Sequence, residues 1–470
     1  MLFERKPVHV IQAQAHSFSG LPCLSREPGC FFRRSSAAYG TQSGVSFLNM
    51  LTGTPASALF MLAALPLGAQ TGWFQPSLLA KPELRKAMQS VEDRAPGIVE
   101  EWIRLVEIPA PSGKEQARAK YIRAEMEKLG LSGIHTDGIF NVSGVRKGIG
   151  GGRSVVFAAH MDTVFPEGTD LTVKREGDIL RAPGVGDDTS NLMATLEMFR
   201  ALDRGGVKTN GDLIFLATVQ EETGLAGAKH WLENSGYRPD MFVAVDGAAT
   251  EVWYGALRIN QFKFFYTSPG AHTLESRGTP SPARAVAKAV NALYEIPLPP
   301  VAEGLGTFKL PTLNVGMMGG GTVVNAIPRE AWFTVDLRSL DSATQDRLES
   351  AVVSTARRIG ELEGVGFRME RKMAIDYSHA LPRQERLNHA VVQTAVATVN
   401  HFRKPGSPEI APADVGSTDA NIAVSMGIPA VSVGAAIQRM PHRLEESAEA
   451  STIIPGIKSL IALGFALTTH

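Results

Sequence analysis

The sequence predicts an α/β fold, a mostly parallel sheet with helices on both faces, carrying a smaller inserted unit. Three observations predict it. Short uninterrupted apolar runs alternate with helical segments between residues 154 and 245. Another such run, Ala430-Val-Ser-Val433, returns near the C-terminus. Strands without polar alternation are those buried on both faces, as in parallel sheets. Between these regions the signals follow the order β-α-β-β-α-β, the split-βαβ arrangement of a ferredoxin-like unit.

In chain order, Leu84 to Val106 has helical apolar spacing and stops at Ile108-Pro-Ala-Pro111. Ser112 and Glu115 have capping-box spacing and are expected to open a helix from Gln116 to Leu129, ended by Gly130. Ser154 to Ala159, Leu213 to Val219 and Met241 to Val245 read as buried strands, with helices at Asn191 to Leu202 and Ala226 to Asn234. In the insert, strands are expected at Phe262 to Thr267, Thr312 to Met317, Trp332 to Leu337 and Phe367 to Ile375. Helices are expected at Pro282 to Leu293 and Ala343 to Glu361. This divides the chain into an extension (1–80), a main unit (81–255 and 377–470) and the insert (256–376). A chain of 470 residues is long for one domain, which agrees with two.

Lys plus Arg equals Asp plus Glu, so the formal net charge is zero and the basic excess of a nucleic-acid partner is missing. The 2 cysteines, Cys23 and Cys30, lie near the N-terminus. Any metal in the globular part must therefore be held by His, Asp and Glu. The uncharged run Pro55 to Gln70 has the character of a signal-peptide core, with Ala69 at a cleavage position, although its cationic flank is weak. The expectation is a secreted or periplasmic protein without a stable membrane span in the mature chain. If the run is not a signal, the protein is cytoplasmic.

Chemistry-bearing residues cluster at strand ends, where ligands sit in open α/β sheets. His160 and Asp162 follow a buried strand. Imidazole is a common metal ligand whose second nitrogen usually donates to a carboxylate, and Asp162 is placed for that. Pro183-Gly-Val-Gly-Asp-Asp-Thr189 brings Asp187 and Asp188 to a helix start, where a helix cap is the competing reading. Glu221 and Glu222 are adjacent at the mouth of a strand. Their side chains diverge, so one can bind metal while the other serves as a base. Asp246 ends a further strand, and His442 lies beyond the last. Imidazoles and carboxylates without thiols suit zinc, and an odd bridging carboxylate suits two ions about 3.5–4 Å apart.

Over residues 82 to 466 these motifs, in this order, resemble the zinc metallopeptidases that include glutamate carboxypeptidase, aminoacylase, succinyl-diaminopimelate desuccinylase and tripeptidase T. The resemblance implies that His160 and Asp246 hold one Zn²⁺, that Glu222 and His442 hold a second, and that Asp187 bridges them. Co²⁺ or Mn²⁺ are possible substitutes. It makes Glu221 the general acid/base and Asp162 the residue that orients His160. In the insert, Ser268-Pro-Gly-Ala-His-Thr273 matches the segment whose His272 stabilises the oxyanion, often across a dimer interface. Asn325 and Arg338 match substrate-contacting positions, and Gly416 and Ser417 begin the matching substrate loop. Thr189 and Arg443 depart from the family pattern without removing a ligand.

The implied reaction is hydrolysis of an amide in short peptides, as an exopeptidase, by a metal-activated water. Deacylation of N-acyl amino acids is the alternative. Pro183 to Asn191 and Ser268 to Gly278 look closer to the tripeptidase-like members. An exported binding protein that does not turn over is the reading from another class, and Glu221 argues against it, because a pure binder needs no base beside a ligand. A homodimer through the insert is expected, since a split-βαβ sheet has open edges. His230, His389 and His401 read as ordinary helix residues.

Overall fold

The computed structural model describes residues 72–302 and 309–469. The apolar run Pro55 to Gln70 and both cysteines lie outside the described residues. The central sheet has 7 strands: β1 (Ser132–Thr136), β2 (Val142–Arg146), β3 (Val155–His160), β4 (Leu213–Thr218), β5 (Met241–Val245), β6 (Val252–Trp253) and β7 (Ala430–Val433). Their order is β1-β2-β4-β3-β5-β7-β6. The inner four strands β4, β3, β5 and β7 run parallel, and β2 and β6 join them antiparallel on either side.

Alternate residues of the parallel strands feed two cores. Val155, Phe157, Phe215 and Val243 pack on the side covered by the Pro82–Asp93, Ala95–Val106, Thr189–Gly205 and Ile453–Thr469 helices. Val156, Ala158, Ile214 and Phe242 pack on the side covered by the Ala226–Asn234 and Ala420–Ser425 helices. Burial on both faces explains why these strands read as unbroken apolar runs. Residues Ala450–Thr469 are apolar enough for a membrane span by composition, with mean hydropathy 1.6, but 72% of that stretch is buried in the protein.

A second, antiparallel sheet is built from Arg258–Thr267, Thr312–Asn314, Glu330–Ser339 and Gly366–Ala374, with Met318–Gly320 pairing onto Glu330–Ser339. The Pro282–Tyr294 and Ser342–Leu362 helices cover one face through Phe264, Tyr266, Phe333 and Val352. This is the β-α-β-β-α-β order expected from the sequence.

Several local expectations are corrected. The Leu84 to Val106 stretch is two helices, broken at Arg94, because Pro96 fits only the first turn of a new helix. Ser112 and Glu115 form no capping box. Ser112 Oγ donates to Asp162 Oδ2 at 2.6 Å instead, and Glu115 accepts from the amides of Gly113 and Gln220. Thr312 to Met317 is not one strand, since pairing stops at Asn314 and resumes at Met318. His389 is not inside a helix; its ring caps the Ala390–Phe402 helix by accepting from Val391 N at 3.2 Å.

Candidate metal centre

The parallel strands deliver the site residues from their carboxyl ends. His160 is the last residue of β3. Glu221 and Glu222 follow β4 after Gln220, whose φ of 53 places a non-glycine residue in the left-handed region and turns the chain sharply. Asp246 follows β5, and its amide donates to Val433 O of β7 at 3.0 Å. His442 arrives on the loop beyond β7, where Met440 (φ 57) and His442 itself (φ 63) are also left-handed. Such backbone at non-glycine residues concentrates where a site dictates side-chain aim.

Asp187 joins the set. Its Oδ1 lies 3.1 Å from His160 Nε2, and its Oδ2 lies 3.2 Å from His442 Nε2. Glu222 Oε1 is 3.1 Å from that same His442 nitrogen. Potential ligand atoms of His160, Asp187, Asp188 and Asp246 lie within 4.8 Å of one another, as do those of Asp187, Glu222 and His442. Asp187 is common to both groups.

Several polar atoms behind the site have fixed partners. His160 Nδ1 donates to Asp162 O at 3.1 Å, with the Asp162 carboxylate 3.4 Å away. That holds the Nδ1 proton on Asp162 and turns Nε2 toward Asp187. Asp162 also accepts from Ser112 Oγ and from the amides of Glu221 and Glu222, so one buried carboxylate ties the His160 and Glu221–Glu222 turns together. Asp188 accepts from His160 N at 2.9 Å and from Asn191 Nδ2 at 2.7 Å.

Of three supporting residues, Glu446 and Arg118 escaped the sequence reading, and Asp419 was read only as the end of the substrate loop. Glu446 accepts from the amides of Gly184, Gly186 and Asp187, clamping the loop that presents Asp187. Arg118 is buried and donates to Val106 O, Ile108 O and Met161 O, the last lying between His160 and Asp162. Asp419 accepts from Thr218 Oγ1 at the end of β4. Glu446 stands four residues after His442, and that spacing was its only signal.

The electrostatics call for a cation. Burial pushes the Asp246 carboxyl up to about 8, and burial also raises Glu221. Burial alone would lower the His160 imidazole, but Asp188, Asp162 and Asp187 drive it well above its usual value. Asp187 and Glu222 push His442 up to about 10. Glu222 Oε1 is buried without a hydrogen-bond partner, close to His442 but lacking hydrogen-bond geometry. An orphaned carboxylate oxygen among imidazoles and carboxylates fits zinc-type N/O coordination.

The remaining predicted residues lie elsewhere. His272 and Asn325 come together in the second sheet's unit, where Thr273 N donates to Asn325 O at 3.0 Å beside an open cavity of about 750 Å³. Arg338 Nε donates to Asp336 Oδ1 at 2.9 Å. Gly416 has φ 134 and packs under Trp253, and Ser417 is half-buried.

Residues 156–464 match the profile of peptidase family M20/M25/M40. The chain belongs to this family. Its metal-dependent members hydrolyse amide bonds, and this chain is a metallo-hydrolase of that class. Among relatives of this M20 protein, the uncharacterized protein YqjE of Bacillus subtilis is 24% identical over 386 residues, covering 78% of this chain and 97% of that one. A succinyl-diaminopimelate desuccinylase of Corynebacterium glutamicum is 25% identical over 356 residues, covering 73% and 89%. A Staphylococcus aureus tripeptidase structure shares the fold at a TM-score of 0.60 and 21% identity, covering 78% and 96%.

Proposed function

We propose that the chain is a dinuclear zinc exopeptidase of short peptides. The observation that carries this reading is the shared carboxylate of Asp187, with one oxygen toward His160 and the other toward His442. His160 and Asp246 would hold one ion, Glu222 and His442 the other, and Asp187 both. Bound zinc supplies Lewis-acid polarisation of the scissile carbonyl and lowers the pKa of water. Glu221, buried and raised in pKa, takes a proton from the attacking water and returns it to the leaving amine. Asp162 holds His160 in its metal-binding tautomer.

His272 is proposed to stabilise the oxyanion. Its Nδ1 accepts from Leu274 N at 3.2 Å, so the neutral ring carries its proton on Nε2, where it can donate. Asn325 and Arg338 would contact the substrate's carbonyl and carboxylate, and the Gly416–Ser417 loop would cover it. The unit carrying them would serve as lid and dimerisation surface. Its sheet is edged by Thr312–Asn314 and Gly366–Ala374, and Leu274, Val323 and Val324 are exposed beside His272. Export is proposed from the Pro55 to Gln70 run alone.

A second reading, N-acyl amino acid deacylation, is favoured by the desuccinylase relative. Assaying the metal-loaded protein against di- and tripeptides and against N-acetyl amino acids separates the two. Turnover of N-acetyl amino acids without peptide cleavage overturns the exopeptidase reading.

A further inference from the structure

A cavity of about 590 Å³ lies where the two sheets' units join, and it contains none of the proposed metal ligands. One side comes from the inserted unit: Arg258, at the start of its sheet, and Asp341, at the cap of the Ser342–Leu362 helix. The other side comes from the main unit: Arg383, Arg386 and Asp414. Tyr377, on the returning connection, completes the wall.

Three arginines and two aspartates line this cavity. Asp414 is taken by Arg383, with Arg386 Nη2 at 3.7 Å. Asp341 caps Thr344 N at 2.7 Å. The nearby Asp376 accepts from the amide and hydroxyl of Ser378. Arg258 stacks over the Tyr377 ring at 5.3 Å and feels the Asp376 charge, but has no side-chain hydrogen bond or ion pair within 4 Å among the described residues. Arg386 Nη1 reaches Tyr254 O at 3.1 Å, but its Nε is buried without a partner. A buried guanidinium donor left unsatisfied is costly, and planar guanidinium groups match carboxylate and phosphate oxygens.

We infer that this cavity binds a compact oxyanion, a small carboxylate or phosphate, held between Arg258 and Arg386. Its position gives the occupant leverage on the lid. Tyr377 OH donates to Leu257 O at 2.9 Å, pinning the two connections between the units. Asn421 Nδ2 then reaches Tyr377 OH at 3.1 Å, Leu257 O at 3.2 Å and Gly416 O at 3.0 Å. An anion on Arg258 therefore sits against the same ring whose hydroxyl is tied to the proposed substrate loop.

The test is calorimetric titration of the metal-loaded full chain with inorganic phosphate and, separately, with succinate. The wild type is expected to show a binding event in addition to any at the metal centre. Arg258→Gln should weaken that event at least about tenfold, as expected for loss of a charge-assisted hydrogen bond, while metal content and melting temperature stay unchanged. Arg258→Lys should recover part of it. Which anion gives the event identifies its chemistry. Absence of a second event with both anions, or its survival in Arg258→Gln, overturns the inference, and neither outcome bears on the hydrolase reading.

Discussion

Asp187 faces two imidazoles through different oxygens, with Oδ1 3.1 Å from His160 Nε2 and Oδ2 3.2 Å from His442 Nε2. These histidines come from opposite ends of the main unit and share no other carboxylate at comparable distance among the described contacts. Zinc binding through Asp187 would therefore bind β3 to the loop after β7. A ligand present at a hundred times its dissociation constant adds about 2.7 kcal/mol to folding stability. Chelation is expected to lower the melting temperature of the wild type by several degrees. Asp187→Ala should melt at the same temperature with and without chelator, and a chelator-sensitive Asp187→Ala protein would remove Asp187 from the ligand set.

Glu221→Gln should keep its metal and lose turnover by roughly 10²- to 10⁴-fold. The amide is nearly the size of the carboxylate but cannot accept the water's proton. Metal analysis and steady-state rates on the same preparation check this. Near-normal turnover with full metal content would reassign the base.

Glu446→Gln should weaken metal binding by about 10- to 100-fold, the usual cost of losing a supporting partner behind a ligand. Both Glu446 oxygens accept backbone amides, from Gly184 on one side and from Gly186 and Asp187 on the other. An amide side chain can accept through only one. Competition against a zinc-binding dye measures the change. Unaltered affinity would make Glu446 a fold residue only.

Arg200→Ala should destabilise the main unit by about 3–5 kcal/mol near neutral pH. Arg200 pairs with Glu101, Glu125 and Glu197, all of them nearly or fully buried. Burial alone would raise Glu101 and Glu125, but Arg200, with Tyr121 at Glu101 and Lys128 at Glu125, holds both below the ordinary value. Their stabilisation is therefore present above the unfolded pKa of about 4.3 and is lost as pH falls through the lower folded value. The gap between wild type and variant in urea unfolding should be constant above about pH 4.3 and narrow only as pH falls below it. A gap independent of pH would mean that Arg200 acts through packing.

The parallel strands were legible because burial on both faces leaves nothing but apolar residues between Val155 and Ala159 or Leu213 and Ala217. The insert was legible because its helices and strands switch period cleanly. Helix starts were less so. Ser112 and Glu115 have the spacing of a cap, but the Asp162 carboxylate competes for the Ser112 hydroxyl, and only the folded chain brings the two together. The Ile453–Thr469 helix was missed because it is buried on nearly every side and shows no amphipathic period. The proposed ligands could be named through family resemblance, because His160, Glu222 and Asp246 sit at or just past strand ends, Asp187 at a helix start and His442 in the loop beyond the last parallel strand. Glu446 and Arg118 could not, because they act through backbone groups and leave no residue pattern of their own.

Titrating zinc into the metal-stripped protein, with amide hydrolysis measured at each addition, tests the central claim most directly. Paired ions joined through Asp187 predict that activity on a short peptide or N-acetyl amino acid climbs until about two equivalents are bound. Activity complete at one equivalent, or no amide hydrolysis at any loading, would contradict the account.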